Sequence, residues 1–194
     1  MLKRIAVDID EVQFPFLEKF TDWHNEMHGT HVSLADFTTY EFEGVLGVDT
    51  PTVIERVYAF HEVDDTNVLP LSGAKDALAE LAGSFCLSSV TARHPKFEES
   101  TRRWTARQGL SIDEVYAIGH PLTAEVARTK AEVCREIGAV ALIDDSPKHV
   151  ADCLDAGIDA VLYGDYPWNQ DAPSDMTRCR NWVEVIDYIT RKHA

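Results

Sequence analysis

Apolar and polar positions alternate at the start of the chain. Ile5, Val7 and Ile9 are separated by smaller or polar residues, a period of two that predicts a strand running into Asp8 and Asp10. From Phe16 the period lengthens. Phe16, Phe20, Trp23 and Met27 recur at three- and four-residue steps and predict a helix ending at Gly29. Residues 30–52 carry Phe37, Tyr40, Phe42, Gly44, Gly47 and Pro51 without a period and are expected to be irregular. A second helix is expected at 52–61, with Val53, Ile54, Val57 and Phe60 on one side, and Asp64-Asp65-Thr66-Asn67 reads as a turn. The block 13–68 is therefore expected to be a small, mainly helical insert behind the first strand.

From Pro70 helix and strand alternate regularly. Ala74, Ala77, Leu78 and Leu81 line a helix that Gly83 can end, and Phe85–Thr91 is a strand. A polar helix over 95–108 stops at Gly109, Val115–Ile118 is a short strand, and 123–137 is a helix ending at Gly138. Ala139–Ile143 is continuously apolar, the pattern of a strand covered on both faces. Asp144-Asp145-Ser146-Pro147 follows, with Ser146 placed as N-cap and Pro147 at the first helical position. Ala160–Tyr163 is expected to be the last strand and 181–192 a closing helix. Repeated strand–helix units predict an α/β fold, a doubly wound parallel sheet with the insert as a helical cap. The expected division is a core of 1–12 and 69–194 with a cap of 13–68.

A chain of 194 residues can bury one full core. The formal net charge of -15 argues against a nucleic acid polymer as partner, because phosphate backbones attract Lys and Arg. It leaves room for a small phosphorylated metabolite met by a local cation. The four cysteines form no Cys-x-x-Cys pair and read as reduced thiols, so a cytoplasmic location is expected. The short N-terminal apolar run, broken by Asp8, reads as a buried strand and not a signal peptide. No apolar stretch approaches the length of a membrane span.

Candidate chemistry gathers at the strand ends. Asp8 and Asp10 close the first strand, Thr91 the second, and Asp144 and Asp145 the fourth. In a parallel sheet these ends share one edge, and clustered carboxylates there call for a cation such as Mg²⁺. Lys130, before the fourth strand, supplies a fixed positive charge, with Arg128 as its rival; Ser89 competes with Thr91 as the hydroxyl.

Asp8-x-Asp10, Thr91, Lys130 and Ile143-Asp144-Asp145-Ser146, in that order and spacing, resemble the four motifs of the haloacid dehalogenase superfamily of phosphatases. The resemblance spans essentially the whole chain. It implies that Asp8 is a nucleophile forming an aspartyl-phosphate, and that Asp10 is the general acid and base. Thr91 and Lys130 would hold the phosphoryl group, and Ala92 and Arg93 would border the substrate. It further implies Mg²⁺ held by the Asp8 carboxylate, the Asp10 carbonyl and an acid of the Asp144–Asp145 pair. Asp145 is favoured for direct contact and Asp144 for an orienting or water-mediated part.

Within the superfamily the chain is most similar to 5'(3')-deoxyribonucleotidase-like members. It shares with them a small cap, Thr91-Ala92-Arg93, and a tail with Tyr166-Pro167-Trp168-Asn169 and Asn181-Trp182. The resemblance thus implies a nucleoside monophosphate or similar ester, the alternatives being a sugar phosphate or a non-catalytic phosphate-binding protein. Phe14, Phe16, Trp23, Phe37, Tyr40 and Phe42 either stack on a base or form the cap's own core.

One position departs from the family: Glu11 stands where Gly is usual. Activity is expected to survive Glu11→Gly unless Glu11 has a role of its own. Among the remaining residues, Arg93 and His94 are candidates to face the phosphate or leaving group, and His120, at the end of the third strand, reads as an ordinary loop histidine, with a place at the pocket's border as the alternative. His24, His28 and His31 read as surface histidines, and Trp168 and Trp182 as tail packing.

Overall fold

The computed structural model describes residues 2–39, 41–63, 67–119 and 128–194. Tyr40, His120, most of the 64–67 turn and the first part of the helix expected at 123–137 lie outside them.

Among the described residues the sheet has six parallel strands in the order β3-β2-β1-β4-β5-β6. They are β1 (Arg4–Val7), β2 (Cys86–Thr91), β3 (Glu114–Ala117), β4 (Ala139–Asp144), β5 (Asp159–Tyr163) and β6 (Arg178–Cys179). The two-residue β6 corrects the expectation that the fifth strand is the last. Too short to show a period, it exists because Arg178 and Cys179 pair with Leu162 and Tyr163.

Alternation along the strands builds two cores. Ile5, Val7, Ala141, Ile143 and Val161 pack on one face with Leu78 and Leu81 of α4 (Ala74–Ala82), Trp104 of α5 (Glu98–Gln108), and Val185 and Ile189 of α8 (Trp182–His193). Ala6, Val90, Leu142, Ala160 and Leu162 pack on the other with Val133 and Cys134 of α6 (Lys130–Glu136) and Val150 and Cys153 of α7 (Pro147–Asp155). A strand buried on both faces has no polar side to show, which is why β4 reads as an unbroken apolar run.

Between β1 and α4 lie α1 (Phe16–His28), α2 (Phe42–Leu46) and α3 (Thr50–His61), with a 3-10 turn at Leu34–Asp36. Gly29 ends α1 in the left-handed conformation, as its position predicts, and Asp49 caps α3 by accepting from the Thr52 amide. The short α2 falls inside the stretch expected to be irregular. At five residues it is too short to give a helical period, and it is held by packing of Phe42 on Phe16, Phe20 and Phe37. Phe20 is the hub of this aromatic core, with Phe16, Phe60 and Trp23 around it at 5.4–6.0 Å between ring centres. Phe14 does not join it: its ring meets Trp104 of α5 edge-on at 5.0 Å.

His24 is fully buried, against the surface reading. Its Nε2 faces the Arg56 guanidinium at 2.8 Å and must accept, so Nδ1 carries the proton to Thr30 Oγ1 at 2.8 Å. Burial, with His28 and Arg56 nearby, lowers its pKa to about 4. Such a histidine is a neutral structural bridge. No helix among the described residues is long and apolar enough to cross a membrane.

Candidate active site

The chain passes from β1 to β2 and β3, then crosses back to place β4 on the other side of β1. The crevice at the carboxyl ends of β1, β2 and β4 is thus the sheet's switch point, where open α/β sheets bind ligands. Asp8 follows β1 directly and its amide still bonds the Ile143 carbonyl of β4 at 2.9 Å; Thr91 and Asp144 are the last residues of β2 and β4.

Asp8 and Asp144 share one cation. Lys130 Nζ lies 2.7 Å from Asp8 Oδ1 and 2.6 Å from Asp144 Oδ2, all three side chains almost wholly buried. Lys130 opens α6, whose N-terminus Thr129 and Glu132 cap reciprocally, which fixes its backbone beneath the two carboxylates. Arg128 instead pairs with Glu136 at the surface. Asp8 Oδ1 also accepts from the Ile9 amide at 2.7 Å. Burial raises the Asp8 pKa to about 7 against the pull of Lys130. Burial also works against ionised Asp144, but Lys130 and His149 prevail and hold it well below the ordinary carboxylate range.

Thr91, not Ser89, opens onto the cavity. The Thr91 hydroxyl accepts from the Arg93 amide at 3.2 Å, which leaves its own proton to be donated elsewhere. Ser89 is used structurally: Gln13 Nε2 donates to its hydroxyl at 2.9 Å and to the Asp8 carbonyl at 2.8 Å. Ala92 lines the cavity.

Arg93 lines the cavity beside Ala92, with its guanidinium engaged by Asp10. Its guanidinium forks onto Asp10, Nη2 at 2.6 Å from Oδ1 and Nε at 3.0 Å from Oδ2, while Nη1 reaches Thr101 Oγ1 at 3.1 Å. It also lies 4.7 Å above the Phe14 ring. Planar guanidinium matches carboxylate geometry, and Asp10 is the nearer anion. Burial opposes the ionised Asp10, but the Arg93 charge and hydrogen bonds outweigh it and hold the pKa below the usual range.

The Asp144–Asp145 pair divides. Asp144 is enclosed: Oδ1 takes the Ser146 amide at 3.0 Å and faces His149 Nδ1 at 3.1 Å, while Oδ2 takes Lys130. Ser146 is the N-cap of α7 with Pro147 opening the helix, as expected, but its hydroxyl makes no capping bond, and its amide is taken by Asp144. Asp145 lines the cavity, and its Oδ2 accepts from the Trp168 indole at 2.8 Å. Trp168 is therefore a wall of the site and not tail packing, whereas Trp182 does pack in the tail, against Tyr163. Burial, then the charges of Asp144 and Asp8, push the Asp145 carboxyl well above its usual range.

A divalent cation fits this donor set. Ligand atoms of Asp8, Asp144 and His149 lie within 4.8 Å of one another, but Asp144 and His149 bond each other and Asp145 is not part of this group. Lys130 answers Asp8 and Asp144, while Asp145 and Glu11 lie beside them, both raised by burial and neighbouring negative charge. Hard oxygens with surplus buried charge suit Mg²⁺. Of the two aspartates, Asp145 is the one presented with Asp8 and Asp10 to the cavity, since Asp144 is already committed to Lys130, Ser146 and His149.

The cavity, of about 400 Å³, runs from these acids to a largely apolar wall of Phe16, Leu17, Phe37, Phe42, Val53 and Val57. Of the aromatics in segment 13–68, Phe16, Phe37 and Phe42 both join the aromatic core and face the cavity, whereas Trp23, Phe20 and Phe60 serve the core. His61 lines it too, stacked on Phe16 at 5.4 Å; burial and Arg93 lower its pKa to about 3. Sequence reasoning missed Gln13, His61 and His149. His149 was the most accessible of these, since a side chain in the first turn of the helix after Asp144-Asp145 points back at the strand ends.

A protein of Halalkalibacterium halodurans, provisionally named a nucleotidase, is 24% identical over 189 residues, covering 96% of this chain and 92% of its own. A haloacid dehalogenase-like hydrolase of Streptococcus pneumoniae superposes with a TM-score of 0.69 at 12% identity, over 97% of this chain and 98% of its own. A haloacid dehalogenase-type hydrolase of Bacillus subtilis, solved with bound magnesium, gives 0.64 at 12% identity over 97% and 98%. At such identities the two structures speak for the fold. The family described as "5' nucleotidase, deoxy (Pyrimidine), cytosolic type C protein" matches residues 2–194, and the chain belongs to that family of haloacid dehalogenase-type phosphatases.

Proposed function

We propose that this phosphatase hydrolyses small phosphate monoesters, nucleoside monophosphates foremost, through an aspartyl-phosphate on Asp8. The observation that carries the reading is one cavity on which Asp8, Asp10, Thr91 and Asp145 converge at one end and an aromatic wall at the other.

In the first step an Asp8 carboxylate oxygen attacks phosphorus and the ester P–O bond breaks; Asp10, which Arg93 keeps ionised in the free protein, must take up a proton with the substrate before it can give it to the departing alcohol. In the second a water attacks the same phosphorus, Asp10 takes the water's proton, and the acyl P–O bond breaks to release phosphate and free Asp8. Thr91 donates to a phosphoryl oxygen, and Lys130 offsets charge on phosphate and nucleophile. Asp8, the Asp10 carbonyl and Asp145 would hold Mg²⁺, which supplies positive charge where two anions must meet. Segment 13–68 acts as the cap over a core of 1–12 and 69–194 and selects the leaving group. Its apolar wall suits a planar base better than a sugar, which favours nucleotides over sugar phosphates.

The test is hydrolysis of p-nitrophenyl phosphate with and without Mg²⁺, then of nucleoside monophosphates against sugar phosphates. Turnover that needs Mg²⁺, falls at least about a thousandfold in Asp8→Asn and is greatest for nucleotides is the expected result. Turnover equal to that of Asp8→Asn overturns the mechanism; preference for sugar phosphates overturns the substrate assignment.

A further inference from the structure

Among the described residues Glu11 is the one non-glycine with positive φ, at 57°. An L residue pays a steric cost there, so something must hold it. Three contacts do. The Glu11 amide donates to the Phe14 carbonyl at 2.8 Å, closing the loop after Asp10. Its carbonyl accepts from the Tyr166 hydroxyl at 2.7 Å. Its carboxylate Oε1 accepts from the Leu17 amide at 2.9 Å.

The third contact crosses from the strand-end loop into the cap. Leu17 is in the first turn of α1, where amides lack partners within the helix. Pro15, at the capping position, offers no side-chain bond. Glu11 does that work from the loop that carries Asp8 and Asp10. Phe16 and Leu17 line the cavity beside it, and Phe16 and Phe20 extend from the same helix into the aromatic core.

The Tyr166 end is equally fixed. Its ring stacks on Trp168 at 4.6 Å and 6°, and Trp168 donates to Asp145. Gly164 leaves room for that ring: a Cβ there would stand 2.4 Å from it. One residue thus joins the loop after β1, the first cap helix and the wall beside Asp145.

We propose that Glu11 is a positioning residue whose side-chain oxygen sets the cap helix over the cavity, and that the fit of the leaving group depends on it. The inference rests on the reading that the cap selects the substrate. What matters is an acceptor at that point, so Gln can serve and Ala or Gly cannot.

The test compares wild type, Glu11→Gln, Glu11→Ala and Glu11→Gly. Gly also relieves the backbone strain, so a variant lacking the acceptor folds even where Ala does not. Hydrogen exchange of residues 16–20 reads the contact without catalysis. It is expected to quicken at least about tenfold in Ala and Gly and to stay near wild type in Gln. KM and kcat are then measured for a pyrimidine deoxynucleoside monophosphate and for acetyl phosphate, whose leaving group is too small to reach α1. In the Gly variant the nucleotide kcat/KM is expected to fall at least about fivefold more than that of acetyl phosphate, mainly through KM. Unchanged exchange in the Gly variant, parallel loss on both substrates, or a Gln variant as impaired as Ala overturns the proposal. Wild type inactive on both substrates would overturn the functional reading, and exchange would still decide the Glu11 contact.

Discussion

The two ends of the cavity are built on opposite principles. At the sheet edge, Asp8, Lys130 and Asp144 form a buried charge chain with contacts of 2.6–2.7 Å, each member fixed by a strand end or helix start. In segment 13–68, rings from α1, α2 and α3 meet at several angles, and the contact is area without direction. A directional network fails sharply when one member is lost, because the remaining charges stay buried and unpaired. An aromatic cluster loses stability in proportion to what is removed and can repack. On the proposed function, chemistry belongs at the first end and adaptable substrate fit at the second.

The sharpest way to break this contrast is Lys130→Met, which keeps the volume and deletes the charge. Both partners are left buried, so a cost of about 3–5 kcal/mol in denaturant unfolding is expected, with turnover reduced about a thousandfold or more. A variant with normal turnover would remove the charge chain from the mechanism.

Phe20→Ala probes the other end. Phe20 is fully buried, so a loss of about 3–5 kcal/mol is expected, but turnover per folded molecule should fall less than about tenfold. A loss matching that of Lys130→Met would show that the two ends are not separable.

The smallest effect is read with Mg²⁺ and pH. The Asp8 pKa is raised to about 7 from 3.8, so the folded metal-free state holds a proton that the unfolded state has released. Its contribution is fully present below about 4 and is lost as pH rises to about 7. His24, lowered to about 4 from 6.5, acts in the opposite sense, its contribution being present above 6.5 and lost as pH falls. Only the difference between metal-loaded and metal-free protein isolates the acids. Mg²⁺ should therefore raise the thermal midpoint more at pH 8 than at pH 5.5, since bound metal replaces the protons. An equal rise at both would place the cation away from Asp8.

The same contrast governs what the sequence revealed. Asp8, Asp10, Thr91, Lys130, Asp144 and Asp145 stand out because polar groups end apolar strands, and parallel pairing carries those ends to one edge. The partners of Arg93 and Trp168 could not be read so, because Asp10 lies 83 positions from Arg93 and Asp145 lies 23 from Trp168. Nor did spacing mark α2 or β6, which are shorter than the periods that reveal helices and strands.

By itself the sequence determined the alternation of strand and helix, the parallel sheet and which acids meet at its edge. Local periodicity and the handed βαβ crossover suffice for those. Tertiary structure alone decided that Arg93 holds Asp10, that Trp168 holds Asp145, and that Glu11 spans from the strand-end loop to α1. Such contacts depend on where long, flexible side chains find a partner after the backbone has folded, and no local pattern encodes that.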